Sequence, residues 1–203
     1  MPEQNMRGAT AVRKAIADYL KATLPAAIMQ ARDDWGLAEH QLPIPTRYDA
    51  YEPQETNEYP LIGVNVVNAN SFARVGQDDF GYAEYRPTYT VRVFTWVKTP
   101  MDENERPVEN SYDESIRLRD DLAALVRVAL LRSPSLGKPD LIQWDEGTLT
   151  EDYSEAAAIS GPKFVAAVQH GFTLRYDESS VFDSNLRANT VTLDGIDLQT
   201  LDG

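Results

Sequence analysis

The segment Tyr85 to Val97 limits most what this chain can fold into. From Tyr89 onward, Tyr89, Val91, Val93, Thr95 and Val97 alternate with Thr90, Arg92, Phe94 and Trp96. Successive Cβ atoms of a strand point to opposite faces of a sheet, so this is a strand with two distinct sides. One side enters a core. The other carries Phe94 and Trp96, which a solvated sheet back rarely holds, so a helix or another subunit has to cover it.

A chain of 203 residues suits one domain with a real core. The formal net charge of -13 argues against direct binding to nucleic acid phosphate, which depends on Lys and Arg releasing counterions. The absence of cysteine removes disulfides, thiolate metal sites and a Cys nucleophile. No apolar run reaches signal-peptide or transmembrane length, and the chain reads as a soluble, intracellularly made protein with no membrane partner.

Residues 1–8 read as a flexible lead, 9–177 as a single domain and 178–203 as an acidic C-terminal arm. Thr10 is placed to cap a helix whose Val12, Ile16, Tyr19, Leu20, Leu24 and Ile28 recur at three-and-four spacing. Pro25 either ends it near Thr23 or kinks it before it resumes through Ala26 to Arg32, and the spacing to Ile28 favours the kink. Residues 35–60, with Pro43, Pro45, Pro53 and Pro60, form an extended connector that Leu42, Ile44, Tyr48 and Tyr51 tack onto the body.

Tyr59 to Val67 is the first central strand, with Gly63 marking a bulge or a close approach. Asn68 to Glu84 reads as the long polar tip of a hairpin leading into the opening strand. Tips of that length tend to carry function. Pro87 belongs at a strand end or edge. After a second polar loop, Lys98 to Asn110, the pair Ser111 and Glu114 has capping-box spacing. The helix that follows sends Ile116, Leu122, Leu125, Val126, Ala129 and Leu130 inward and keeps Arg117, Arg119, Asp120 and Asp121 near its outer face, stopping by Ser133-Pro134.

Leu141 to Trp144 reads as a short strand, Asp145 to Glu155 as an acidic stretch, Ala156 to Pro162 as a small-residue turn and Lys163 to Tyr176 as the last strand. After Asp177, Val191, Leu193, Ile196 and Leu198 alternate with polar residues. Such a segment is either disordered alone or added as a strand to a neighbour's sheet edge.

Little in the sequence points to catalysis. His40 and His170 are the only histidines, one in the connector and one on the last strand, and ordinary surface and half-buried roles outweigh a shared metal site. Asp79-Phe80-Gly81 and Ser135-Leu136-Gly137-Lys138 spell kinase and penicillin-binding motifs without the companions those enzymes need. No nucleophile elbow, P-loop or dinucleotide fingerprint occurs. The pairs Asp33-Asp34, Asp78-Asp79 and Asp120-Asp121 point in different directions on a regular element and read as solvated faces. Tyr48, Tyr51, Tyr59, Tyr82, Tyr85 and Tyr89 fit either an interface or connector packing.

The element order, together with Tyr19-Leu20 and Leu24-Pro25, Leu42-Pro43 and Pro45 leading to Tyr48, Tyr59-Pro60-Leu61-Ile62, the strand ending in Trp96-Val97, and Arg119 to Leu131 followed by Ser133-Pro134-Ser135-Leu136, resembles the tail-terminator proteins of long-tailed bacteriophages over residues 9–178. The resemblance implies an α+β subunit: an antiparallel four-stranded sheet with two amphipathic helices on one face, in the order α-β-β-α-β-β. It also implies a hexameric homo-oligomeric ring at the tail-neck junction of the virion, made in the host cytoplasm. Such a ring caps the tail tube, stops its polymerisation and meets the head-tail connector or stopper protein. No catalytic, metal-binding or cofactor-binding residue is carried over, and DNA is expected to pass an acidic lumen without specific binding. The alternatives are another neck or head-tail joining protein, such as a stopper or tail-completion protein, and an acid-using hydrolase. Expected interface residues are Phe72 and Phe80 at the hairpin tip, Tyr89 and Phe94 on the central strand, Met101 and Arg106 in the second loop, and Phe182 and Leu186 in the arm.

Overall fold

A computed structural model describes residues 8–50, 58–77, 83–102, 104, 106–139, 141–161 and 163–177. The alternation of the opening strand governs the architecture. Tyr89, Val91, Val93, Thr95 and Val97 are all buried, whereas Arg92 is exposed and Phe94 and Trp96 are half-buried. This strand, β3 (Ala83–Lys98), lies between β2 (Leu61–Gln77) and β6 (Lys163–Tyr176), antiparallel to both. β6 follows the same rule: Ala166, Val168, His170, Phe172, Leu174 and Tyr176 are buried and the intervening residues are not.

The fold is α+β, with two helices and a mixed six-stranded sheet. β1 (Arg47–Asp49) pairs in parallel with β2, and β4 (Ile142–Tyr153) and β5 (Ala157–Ser160) both pair antiparallel with β6. The expected sheet of four antiparallel strands is therefore corrected in number and in direction. β1 comes from the Pro-rich connector and β5 from the small-residue turn. Neither has a pattern of its own, and each is a strand because a neighbour's backbone pairs with it.

The helices α1 (Gly8–Trp35) and α2 (Ser111–Leu131) contribute to a single hydrophobic cluster with the buried side of the sheet. Val12, Ile16, Leu20, Leu24 and Ile28 of α1 meet Ile62, Val64 and Val66 of β2, while Leu118, Leu122 and Val126 of α2 lie over β3 and β6. Trp144 meets Phe172 edge to face at 4.9 Å, and the Tyr19 hydroxyl donates to the Ala129 carbonyl at 2.8 Å, joining the two helices. Both helices occupy the same face. The opposite face, with Phe94 and Trp96, has no helix on it among the described residues.

Several local expectations are revised. α1 starts at Gly8, so Thr10 sits inside its first turn. The continuation past Pro25 that the spacing to Ile28 favoured is observed, and the carbonyl that loses its partner there belongs to Lys21, an exposed residue that water can satisfy. The capping box does not form. Asn110 occupies the cap in a left-handed conformation, and the Ser111 hydroxyl donates back to the Val108 carbonyl at 2.6 Å. Glu114 instead pairs with Arg117 at 2.8 Å. The acidic stretch is most of β4, and the expected hairpin tip is mostly strand: β2 continues to Gln77 and β3 resumes at Ala83. No helix is long and apolar enough to cross a membrane among the described residues.

Candidate interaction surface

The uncovered face is built from the outward positions of β3 and β6, which pair row by row as Thr88 with Arg175, Thr90 with Thr173, Arg92 with Gly171, Phe94 with Gln169, Trp96 with Ala167 and Lys98 with Val165. No acid stands among these positions, which is notable in a chain of net charge -13. Phe94 and Trp96 meet edge to face with centroids 6.4 Å apart. On the β2 side, Leu61 lies opposite Trp96 and is fully buried, although it stands outside the main core cluster. The Lys98 ammonium sits 5.9 Å from the centre of the Tyr59 ring. The apolar part of the face is thus at the Leu61–Trp96 end, and the rest mixes the cations Arg92 and Arg175 with hydroxyls and with Asp145 and Asp152 of β4, which stand opposite Thr173 and Gln169.

Beyond that face the central hairpin runs on. Pairing of β3 with β6 begins at Thr88, yet β2 and β3 stay paired from Phe72 opposite Pro87 to Gln77 opposite Ala83. These residues form a two-stranded ribbon that extends past the end of the sheet. Phe72 is 60% exposed there, with Ala73 and Arg74 exposed beside it. Of three register shifts, the one between Val66 and Asn68 lies within the sheet, and those between Asn70 and Phe72 and between Arg74 and Gly76 bend and twist the ribbon. Ser71 takes a φ of 50° at the second. At the ribbon's base Arg86 pairs with Asp177 at 2.6 Å, and Asn70 donates to the Thr90 hydroxyl at 3.1 Å.

The sheet edge on the other side is held by a polar network under α2. The His170 side chain is fully buried, and its Nε2 lies 3.1 Å from the Ala123 carbonyl and 3.2 Å from Glu151 Oε1. A carbonyl can only accept, so Nε2 carries a proton, and Nδ1 is buried with no partner among the described residues. Burial pushes the His170 pKa down, and the attraction of Glu151 only partly opposes it. Glu151 also accepts from Arg127 at 2.8 Å and from the Tyr153 hydroxyl at 2.7 Å. Arg119 is buried, donates to the Ser154 carbonyl and to Asp120, and lies 5.0 Å from the centre of the Tyr153 ring. It therefore faces the sheet, not the outer helix face where the sequence placed it. The helix pattern could not reveal this, because the carbonyl and ring that accept it come from a strand with no apolar periodicity.

These polar groups tie elements together. Asp120 and Asp121 turn to different arginines, Arg119 and Arg117. Burial raises the Asp121 pKa more than Arg117 lowers it, and the neighbouring carboxylates of Asp120 and Glu114 raise it further. His40 is exposed in the turn after α1 while His170 is in the core, and no group of three or more His, Asp or Glu side chains is placed to hold a metal among the described residues. An open polar cleft of about 480 Å³, lined by Thr88, Gln143, Asp145, Gly147, Thr173 and Arg175, runs along the uncovered face beneath the β4 bulge.

Of the residues expected at an interface, Phe72 is on the projecting ribbon and Phe94 on the uncovered face. Tyr89 is a correction: it is 5% exposed and belongs to the core under the helices, because it shares the parity of Val91 and Val93. Met101 is half-buried and bridges to Pro107, and Arg106 is exposed in the same loop. Phe80, Phe182 and Leu186 lie outside the described residues, as does the arm that begins after Asp177. The sequence reading missed the Arg119–Tyr153–Glu151–His170 network and the row of Arg92, Lys98 and Arg175 on the outward face. The second was legible in the spacing of those residues. Comparison with family models gave no match, and comparison with curated proteins gave none.

Proposed function

We propose that this chain is a structural, non-enzymatic subunit of a long-tailed bacteriophage: a tail terminator that forms a hexameric ring, caps the tail tube, stops its polymerisation and joins it to the head connector. The observation that carries this reading is the β2–β3 ribbon, which runs past the sheet and holds Phe72 60% exposed. A ring needs a projecting patch on one side of the subunit and an unlike receiving patch on the other, since head-to-tail contacts join unlike surfaces. The ribbon supplies the first. The loop holding Met101 and Arg106, braced by the Met101–Pro107 bridge and by Asp102 accepting the Asn104 and Arg106 amides, is suited to the second. The chain's acidity suits a channel that passes DNA without holding it.

The test is to add purified protein to growing tail tubes. A terminator arrests elongation and leaves one cap per tube end. Binding to connector rings without capping of tubes would identify a stopper or tail-completion protein in its place.

A further inference from the structure

We infer that the second half of β4, Thr150 to Tyr153, is an acid-released latch: a second proton on the buried His170 ring frees this segment from β6 and α2 while the rest of the fold stays closed. The device works within one subunit and does not depend on the ring.

The two halves of β4 are held in different ways. A register shift between Asp145 and Thr150 divides the pairing with β6 into two runs. In the first run Ile142 and Trp144 are buried members of the hydrophobic cluster. In the second, Thr150, Asp152 and Tyr153 are exposed, Glu151 is half-buried, and none of them belongs to that cluster. Leu149 and Ala156, which pack against its rim, bracket the segment. β4 is also the last strand of the sheet, so only β6 pairs with it. A stretch of edge strand without core side chains is the kind that opens by itself, short of global unfolding.

What closes the segment is polar and centred on one carboxylate. Glu151 Oε2 accepts from Arg127 at 2.8 Å and from the Tyr153 hydroxyl at 2.7 Å, and Oε1 lies 3.2 Å from His170 Nε2. The Ser154 amide donates to the Ala167 carbonyl at 2.9 Å, and Arg119 holds the Ser154 carbonyl and the Tyr153 ring. Because the Nε2 proton goes to the Ala123 carbonyl, Glu151 Oε1 and His170 Nδ1 are both buried without hydrogen-bond partners among the described residues. A second proton would place charge on a fully buried ring with no acceptor at Nδ1.

The charges facing the ring come from two elements. Glu151 of β4 favours the second proton, whereas Arg127 of α2 opposes it. Arg119 of α2, paired with Asp120, stands behind Tyr153. β3 sets uncharged Val93 opposite the ring, with Thr95 next on the same side. Burial outweighs Glu151, so the closed ring resists the proton below its ordinary 6.5. Lifting the segment wets the ring and restores the ordinary value. Each pH unit below 6.5 thus raises the ratio of open to closed by up to about tenfold. Opening bares the β6 backbone from Val168 to Gly171, an edge able to accept another strand.

Native-state hydrogen exchange and histidine NMR on the full-length protein test this between pH 8 and 5. His40, the only other histidine, is exposed, so the two rings are distinguishable. The His170 ring is expected to titrate with a midpoint below 6.5. The amides of Thr150 to Ser154 should exchange faster than those of Val91 to Thr95 at every pH, with rates that low urea hardly changes. After correction for intrinsic rates, their protection should fall by up to about tenfold per pH unit below 6.5, and His170→Gln should flatten that slope. A slope that persists in folded His170→Gln would overturn the latch. Should that variant not fold, the wild type decides alone. A His170 midpoint at or above 6.5, protection indifferent to pH, or protection equal to that of β3 with the same urea dependence would each overturn it, the last because opening would then be global.

Discussion

The Nε2 proton of His170 on β6 is given to the Ala123 carbonyl of α2 at 3.1 Å, within reach of Glu151 on β4. One buried imidazole therefore joins a helix, a central strand and an edge strand. Its other nitrogen is buried without a partner, so a second proton there would have to be accommodated with no acceptor in place.

The pH dependence of stability follows from that placement. The folded-state pKa of His170 lies below its ordinary value of 6.5, chiefly through burial, so the unfolded chain binds the proton more readily. The stability tied to this group is complete above about pH 6.5 and is lost as pH falls below it, at up to about 1.4 kcal/mol per pH unit. Denaturant unfolding of the wild type and of His170→Gln checks this. The variant should lose much of the slope on the acid side of 6.5, and equal slopes would contradict the assignment.

Thr95 is the one hydroxyl on the inward side of β3 between Tyr89 and Val97; it is fully buried and its oxygen has no partner among the described residues. Thr95→Val removes an unsatisfied polar atom and puts a methyl group in its place, so it should stabilise the protein by about 1 kcal/mol. A rise in the urea midpoint at constant m-value is the expected readout.

Arg119 is held by the Ser154 carbonyl, Asp120 and the Tyr153 ring at once. Arg119→Ala should cost about 2 kcal/mol, and Arg119→Lys should recover less than half of it, because an ammonium has neither the fork nor the planar stacking surface. Full recovery by Lys would mean that charge alone matters.

Phe72 and Phe172 make a contrasting pair. Phe172 is buried against Trp144, and Phe172→Ala should cost about 3–5 kcal/mol. Phe72→Asp, on the exposed ribbon, should leave thermal unfolding within about 0.5 kcal/mol of the wild type while abolishing assembly. Loss of stability equal to the core variant would place the ribbon in the fold and not in the contact.

The parts of the fold that were legible in the sequence are those where local pattern and burial agree. β6 runs from Lys163 to Tyr176 as its alternation predicts, β3 buries the Tyr89 side, and α2 stops before Ser133-Pro134. Asn68, Asn70, Ser71 and Gly76 are residues of turns, yet they lie in β2 because β3 pairs with them through three bulges. Asp145 to Tyr153 has no apolar repeat and becomes a strand through β6. In both cases the partner's backbone, and not the segment's own composition, decides the structure. The candidate surface was half legible. Phe94 was visible as a residue in need of cover, but only the observed packing shows that the Tyr89 side takes both helices and that the Phe94 side is left over.

The central claim is that this subunit assembles through its ribbon, and native mass measurement of the full-length protein tests it most directly. The account predicts a closed ring with the mass of six subunits, reduced to monomer by Phe72→Asp. A wild-type protein that stays monomeric across the concentration range, with or without tail tubes, would contradict it.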